Sequence, residues 1–201
     1  MIWIFLIPSA VILAGVFIYY FRPKKQLRTE SIYTHALNAM VRGDTRTALS
    51  HLRNVVKQDT NHINAYLQMG DILREEDNAQ AAIKIHQSLT VRPNLSNEVK
   101  RDIHKSLALD FEQLGNITKA MGEAEIVLKL DRKNLWANEF LLKIFEQRRE
   151  WDKAMQTTKA IQKLKHSRDP NQIARFLVYQ GMDKLEKGTV SYTHLTLPTK
   201  A

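Results

Sequence analysis

The sequence predicts an all-α protein: one apolar helix at the amino terminus, then a stack of helix–turn–helix repeats. Three observations carry this. Residues 2–21, IWIFLIPSAVILAGVFIYYF, hold no charged side chain. A turn followed by a helix start recurs with alanine at a fixed place, at Ala48, Ala82, Ala120 and Ala154, separated by 34, 38 and 34 residues. The chain of 201 residues is 44% hydrophobic and 25% charged, so wholesale disorder is excluded.

The apolar stretch comes first. As a helix it would measure roughly 30 Å at 1.5 Å per residue, about the hydrocarbon thickness of a bilayer. A soluble core helix would not be apolar on every face. Trp3 at one end and Tyr19 and Tyr20 at the other suit the two interfacial belts. Pro8 lies where a kink is tolerable. A cleaved signal peptide needs a basic start, and nothing basic precedes this run except the amino terminus. Residues 1–21 are therefore expected to be a single-pass membrane anchor.

Residues 22–30 read as a basic juxtamembrane linker. Arg22, Lys24, Lys25 and Arg28 follow the anchor at once, which by the positive-inside rule puts the repeats in the cytoplasm. Near a surface each cation adds about 1 kcal/mol of attraction to anionic headgroups. Trp3, Tyr19, Tyr20 and these four cations are the expected membrane contacts. The formal charge of +9 partly reports this topology. Beyond residue 30 the excess is only modestly basic, a poor case for nucleic acid.

Residues 31–166 read as four repeats. A helix–turn–helix period of 34 residues is the tetratricopeptide signature. Twelve residues before each alanine, where two helices approach closely, stand Ala36, Gly70, Ala108 and Leu142, three of them small. One residue earlier come His35, Met69, Leu107 and Leu141; nine before the alanine come Ala39, Leu73, Phe111 and Phe145. Four after it stand Leu52, His86, Ala124 and Thr158, and seven after it Val55, Leu89, Val127 and Ile161. The pattern is degenerate but keeps phase.

Four extra residues separate repeats two and three. There Pro93 ends a helix and Ser96 or Asn97 can cap the next. A second lengthened turn, HSRDPN at 166–171, precedes the first helix of an incomplete fifth repeat within residues 167–188, with Gly181 at the small position and Gly188 at the turn. Residues 189–201, TVSYTHLTLPTKA, break the pattern with β-branched residues and Pro198. They read as a non-native tail on a chain cut near Gly188.

No catalytic constellation is evident. His35, His86 and His104 fall at interhelix packing positions. Asp102, His104 and Ser106 are a hydrolase triad by type, but at i, i+2 and i+4 of one helix they cannot converge. There is no HExxH, phosphate loop or GxGxxG, and zero cysteines remove thiolate chemistry. No cofactor or metal is expected in this chain, and it is not expected to be an enzyme.

Tetratricopeptide stacks offer an inner face lined by the first helix of each pair. The partner-binding candidates there are Tyr33, Leu37 and Met40 in repeat one, and Leu67, Asp71 and Arg74 in repeat two. Lys105, Leu109 and Glu112 follow in repeat three, then Trp136, Glu139 and Lys143 in repeat four. Aromatic, Met, Arg and Lys groups in one groove suit a protein or peptide ligand. The face is mixed in sign and lacks a repeated Lys/Asn clamp for carboxylates.

Anchor, basic linker and cytoplasmic repeats together resemble the lipopolysaccharide assembly protein B family of Gram-negative bacteria. Residues 82–89, AIKIHQSL, are similar to that family's AIxIHQxL segment, and the lengthened turn before repeat three and IARF at 173–176 fall where that family has them. The resemblance covers about residues 1–188. It implies an inner-membrane adaptor that restrains lipopolysaccharide synthesis by presenting the deacetylase LpxC to the membrane protease FtsH. It also implies a C-terminal rubredoxin-like metal domain held by four cysteines, none of which this chain contains. The same architecture would equally serve a membrane-anchored scaffold for another envelope complex, in secretion, pilus or cytochrome assembly.

Overall fold

The computed structural model describes residues 24–186 and Gly188. They form helices α1 (Lys24–Val41), α2 (Thr45–Gln58), α3 (Ile63–Glu75), α4 (Ala79–Thr90), α5 (Asn97–Gln113), α6 (Ile117–Leu130), α7 (Leu135–Gln147), α8 (Trp151–Leu164) and α9 (Pro170–Glu186). The expected anchor and tail, with Trp3, Tyr19, Tyr20 and Arg22, lie outside the described residues. Among the described residues no helix is long and apolar enough to cross a membrane. α1 starts at Lys24, inside the stretch read as a linker, because Lys, Gln, Leu and Arg are all good helix formers.

Two compact units share these helices. One reaches to Leu95 and takes in Leu109–Gly115; the other holds Ser96–Ala108 and continues from Asn116. In the first unit α1 packs on α2, α2 on α3 and α3 on α4. Its core is Ala36, Ala39, Ala48, Leu49, Leu52, Val55, Ala65 and Ile72, with Ile32, Tyr33, Met40 and Met69 packed against it. In the second unit α6 packs on α7, α7 on α8 and α8 on α9. There α5 is tied to α6 by His104 Nδ1 against Glu123 Oε2 at 2.6 Å.

The repeat frame appears directly as burial. Ala48, Ala82, Ala120 and Ala154 are each 0% exposed. The residues four and seven after each alanine share its helix face and are all buried. Ala36, Gly70 and Ala108 are buried at the small position, and Leu142 is half-buried. One packing expectation fails: His35 is exposed, its ring 5.9 Å from that of His51.

Helix starts follow their caps. The side chains of Asp44, His62, Asn78, Asn116 and Asn134 each accept a bond from the amide three residues on. Two bonds from Thr47, that of its side chain first and that of its amide second, hold the Asp44 carboxyl below the usual carboxylate range. Ser96 caps α5 by accepting from Val99. Pro170 opens α9 at the first helical position, where its missing N–H costs nothing.

Five residues before each signature alanine the chain is left-handed: φ is 74° at Gly43, 60° at Asp77, 70° at Gly115 and 55° at Arg149. A side chain there costs about 1–2 kcal/mol. The two non-glycines make bonds that offset it. Asp77 accepts from Gln113 at 2.9 Å, and Arg149 pairs with Asp183 at 2.9 Å and Glu186 at 3.0 Å.

On α9, Phe176 is fully buried against the second unit, while Leu177, Val178, Met182 and Leu185 are 52–59% exposed. A repeat helix derives its stability from burial on its neighbours. In native-state hydrogen exchange the amides of α9 should therefore exchange faster than those of α3. Equal protection would contradict this.

Candidate functional site

On the first unit Tyr33 and Met40 pack at the margin of the core and Leu37 is 37% exposed. Burial, then Glu30, pushes the Tyr33 phenol up, so it stays protonated. Leu67 is corrected by the structure: at 7% exposure it belongs to the core, because α3 is covered on that side. Leu109 and Glu112 are half-buried on α5. On the second unit Lys105 and Lys143 are exposed, and Lys105 Nζ sits 5.4 Å from the centre of the Trp136 ring, which stacks on Phe140 at 5.1 Å. Glu139 is held by Lys165 at 2.6 Å.

The most developed polar site surrounds Arg74 in the first unit. Its Nη1 reaches Asp71 Oδ1 at 2.7 Å and Asp110 Oδ1 at 3.0 Å. Burial works against the Arg74 charge, but Asp71 and Asp110 outweigh it and hold the guanidinium above its ordinary value. The other oxygen of Asp110 accepts from His86 Nδ1 at 2.6 Å, and both side chains are 0% exposed. His86 Nε2 faces the Leu67 carbonyl at 3.3 Å and Asp71 Oδ1 at 3.9 Å. Both ring nitrogens thus face oxygen atoms.

Gly70 makes room for this ring. A Cβ there would lie 2.3 Å from His86 Nε2 and 2.6 Å from Cε1. The small position of repeat two is therefore glycine, where repeats one and three carry alanine, because a large polar ring crosses it. A chain of contacts follows: Gly70 admits His86, His86 orients Asp110, and Asp110 with Asp71 fixes Arg74. Sequence reasoning found Asp71, Arg74 and the packing role of His86. It missed Asp110, 24 residues from His86 on another helix.

This arrangement holds the Arg74 guanidinium between two carboxylates and leaves it little rotamer freedom. The Asp102, His104 and Ser106 side chains do not form a triad: His104 turns to Glu123, Ser106 is buried and Asp102 is exposed. Among the described residues no group of three or more His, Asp or Glu is placed to hold a metal ion.

No family model matches the chain. It is 24% identical to lipopolysaccharide assembly protein B of Escherichia coli strain K12 over 144 residues, 72% of this chain and 37% of that protein. It is 29% identical to lipopolysaccharide assembly protein B of Haemophilus influenzae over 113 residues, 55% of this chain and 28% of that protein. The chain thus spans only about a third of these relatives' length. Among solved structures it resembles a tetratricopeptide repeat protein from Parabacteroides merdae, with a TM-score of 0.62 and 16% identity over 80% of this chain and 60% of the other. The chain has a tetratricopeptide-type repeat fold, and its sequence is similar to that of lipopolysaccharide assembly protein B.

Proposed function

We propose that this chain is a membrane-anchored, cytoplasm-facing adaptor that regulates lipopolysaccharide biosynthesis at the bacterial inner membrane. Its partners are proteins, a lipopolysaccharide-synthesis enzyme and a membrane protease, and it acts by presenting the deacetylase LpxC to the protease FtsH. The observation that carries this reading is the similarity to lipopolysaccharide assembly protein B over 72% of the chain. Supporting it are the uncharged residues 2–21, the cations that follow, and repeats whose inner-face side chains suit a peptide ligand. Asp71, Arg74, Leu37 and Met40 in the first unit, and Lys105, Trp136 and Lys143 in the second, are the residues expected to meet the partners.

Depletion in the native host tests it. LpxC abundance and lipopolysaccharide content should both rise; unchanged levels would overturn the regulatory reading. A reporter fused after Lys187 should be active as a cytoplasmic fusion, and periplasmic activity would contradict the orientation.

A further inference from the structure

We infer that the outer face of α2, around Arg53 and Lys57, docks on the anionic surface of the bilayer and lays the first repeat against the membrane. This rests on the anchor reading of residues 1–21. Only two residues separate the apolar stretch ending at Phe21 from the start of α1, a reach of at most about 10 Å. The start of α1 is thereby within about a Debye length of the headgroups. α2 returns alongside α1: Thr29 Oγ1 bonds Gln58 Oε1 at 3.4 Å, so the end of α2 lies beside the start of α1.

That end is basic and unpaired. Arg28, Arg53 and Lys57 are exposed, and none forms an ion pair among the described residues. Arg46, Arg53 and Lys57, with exposed Ser50 and Asn54 between them, lie at i, i+7 and i+11 on one stripe of α2. The acids nearby are Glu30 on α1, Asp44, which caps α2 and feels the charge of Arg46, and Asp59, one oxygen of which accepts from the amide of Asn61 at 2.9 Å. Unpaired cations on α2, beside a helix that starts two residues after the apolar stretch, are complementary to lipid phosphate.

The chain has no cysteine, so single labels are clean. Asn54→Cys and Ser88→Cys place a fluorophore at equivalent outer-face positions of α2 and α4, each six residues after its signature alanine. The full chain is reconstituted in vesicles of phosphatidylcholine alone or with one-quarter phosphatidylglycerol, both carrying a headgroup quencher. The probe at 54 should be quenched only with phosphatidylglycerol, and the probe at 88 much less. Each cation near an anionic surface shifts the docked population about fivefold, so Arg53→Glu with Lys57→Glu should lower it at least about 25-fold. That variant should still float with vesicles through its anchor. A chain that floats but shows equal quenching at both positions, or quenching independent of phosphatidylglycerol, overturns the docking alone. A chain that fails to float removes the anchor reading and the docking with it.

Discussion

Replacing His86 with alanine should destabilise the first unit by about 3–5 kcal/mol, the usual cost of stripping one partner from a buried polar pair. The reason is Asp110. Its carboxylate is 0% exposed and shared between His86 at 2.6 Å and Arg74 at 3.0 Å. Without the imidazole one oxygen of this buried carboxylate loses its donor. His86→Leu, which keeps volume but not the donor, should cost nearly as much. Among the described residues both tryptophans, Trp136 and Trp151, belong to the second unit, so fluorescence is a poor probe of this change. Hydrogen exchange of the α3 and α4 amides reads it directly. A loss under about 1 kcal/mol would show that Arg74 alone satisfies Asp110.

The second large effect is Gly70→Ala. In a helix this exchange normally stabilises by about 0.5–1 kcal/mol, because glycine has more backbone freedom to lose. Here the new methyl would stand 2.3 Å from the His86 ring. Either α3 and α4 separate or the ring abandons Asp110, and the expected cost is about 2–4 kcal/mol. The sign should reverse in a His86→Ala background, where the obstacle is gone and the ordinary alanine preference returns. A cost that persists there would locate the clash in the backbone packing.

What was legible in the sequence was what repeats. Ala48, Ala82, Ala120 and Ala154 announce themselves because the same close helix crossing demands the same small residue every 34 to 38 positions. The second helices followed from that frame, down to the burial of His86 and Thr158. What does not repeat stayed hidden. Asp110 is a helix-interior acid like many others, and only the fold sets it against His86. His62 caps α3 through its ring nitrogen, a role that composition assigns to Asn, Asp, Ser or Thr. Asp77 and Arg149 adopt the turn conformation of Gly43 and Gly115 without being glycine. The inner-face set was legible as a list of positions; whether each is presented or buried depends on the rotation of its helix, which moved Leu67 into the core.

The IHQ segment that carries the resemblance to lipopolysaccharide assembly protein B thus has a structural use. Its histidine is a buried post that holds Asp110 and, through it, Arg74. A double-mutant cycle of His86→Ala and Asp110→Ala, read by hydrogen exchange in α3 and α4, tests this most directly. If the two act as one unit, the double variant should be little worse than either single one, so the coupling should come close to the single-variant loss of about 3–5 kcal/mol. Additive losses would contradict it.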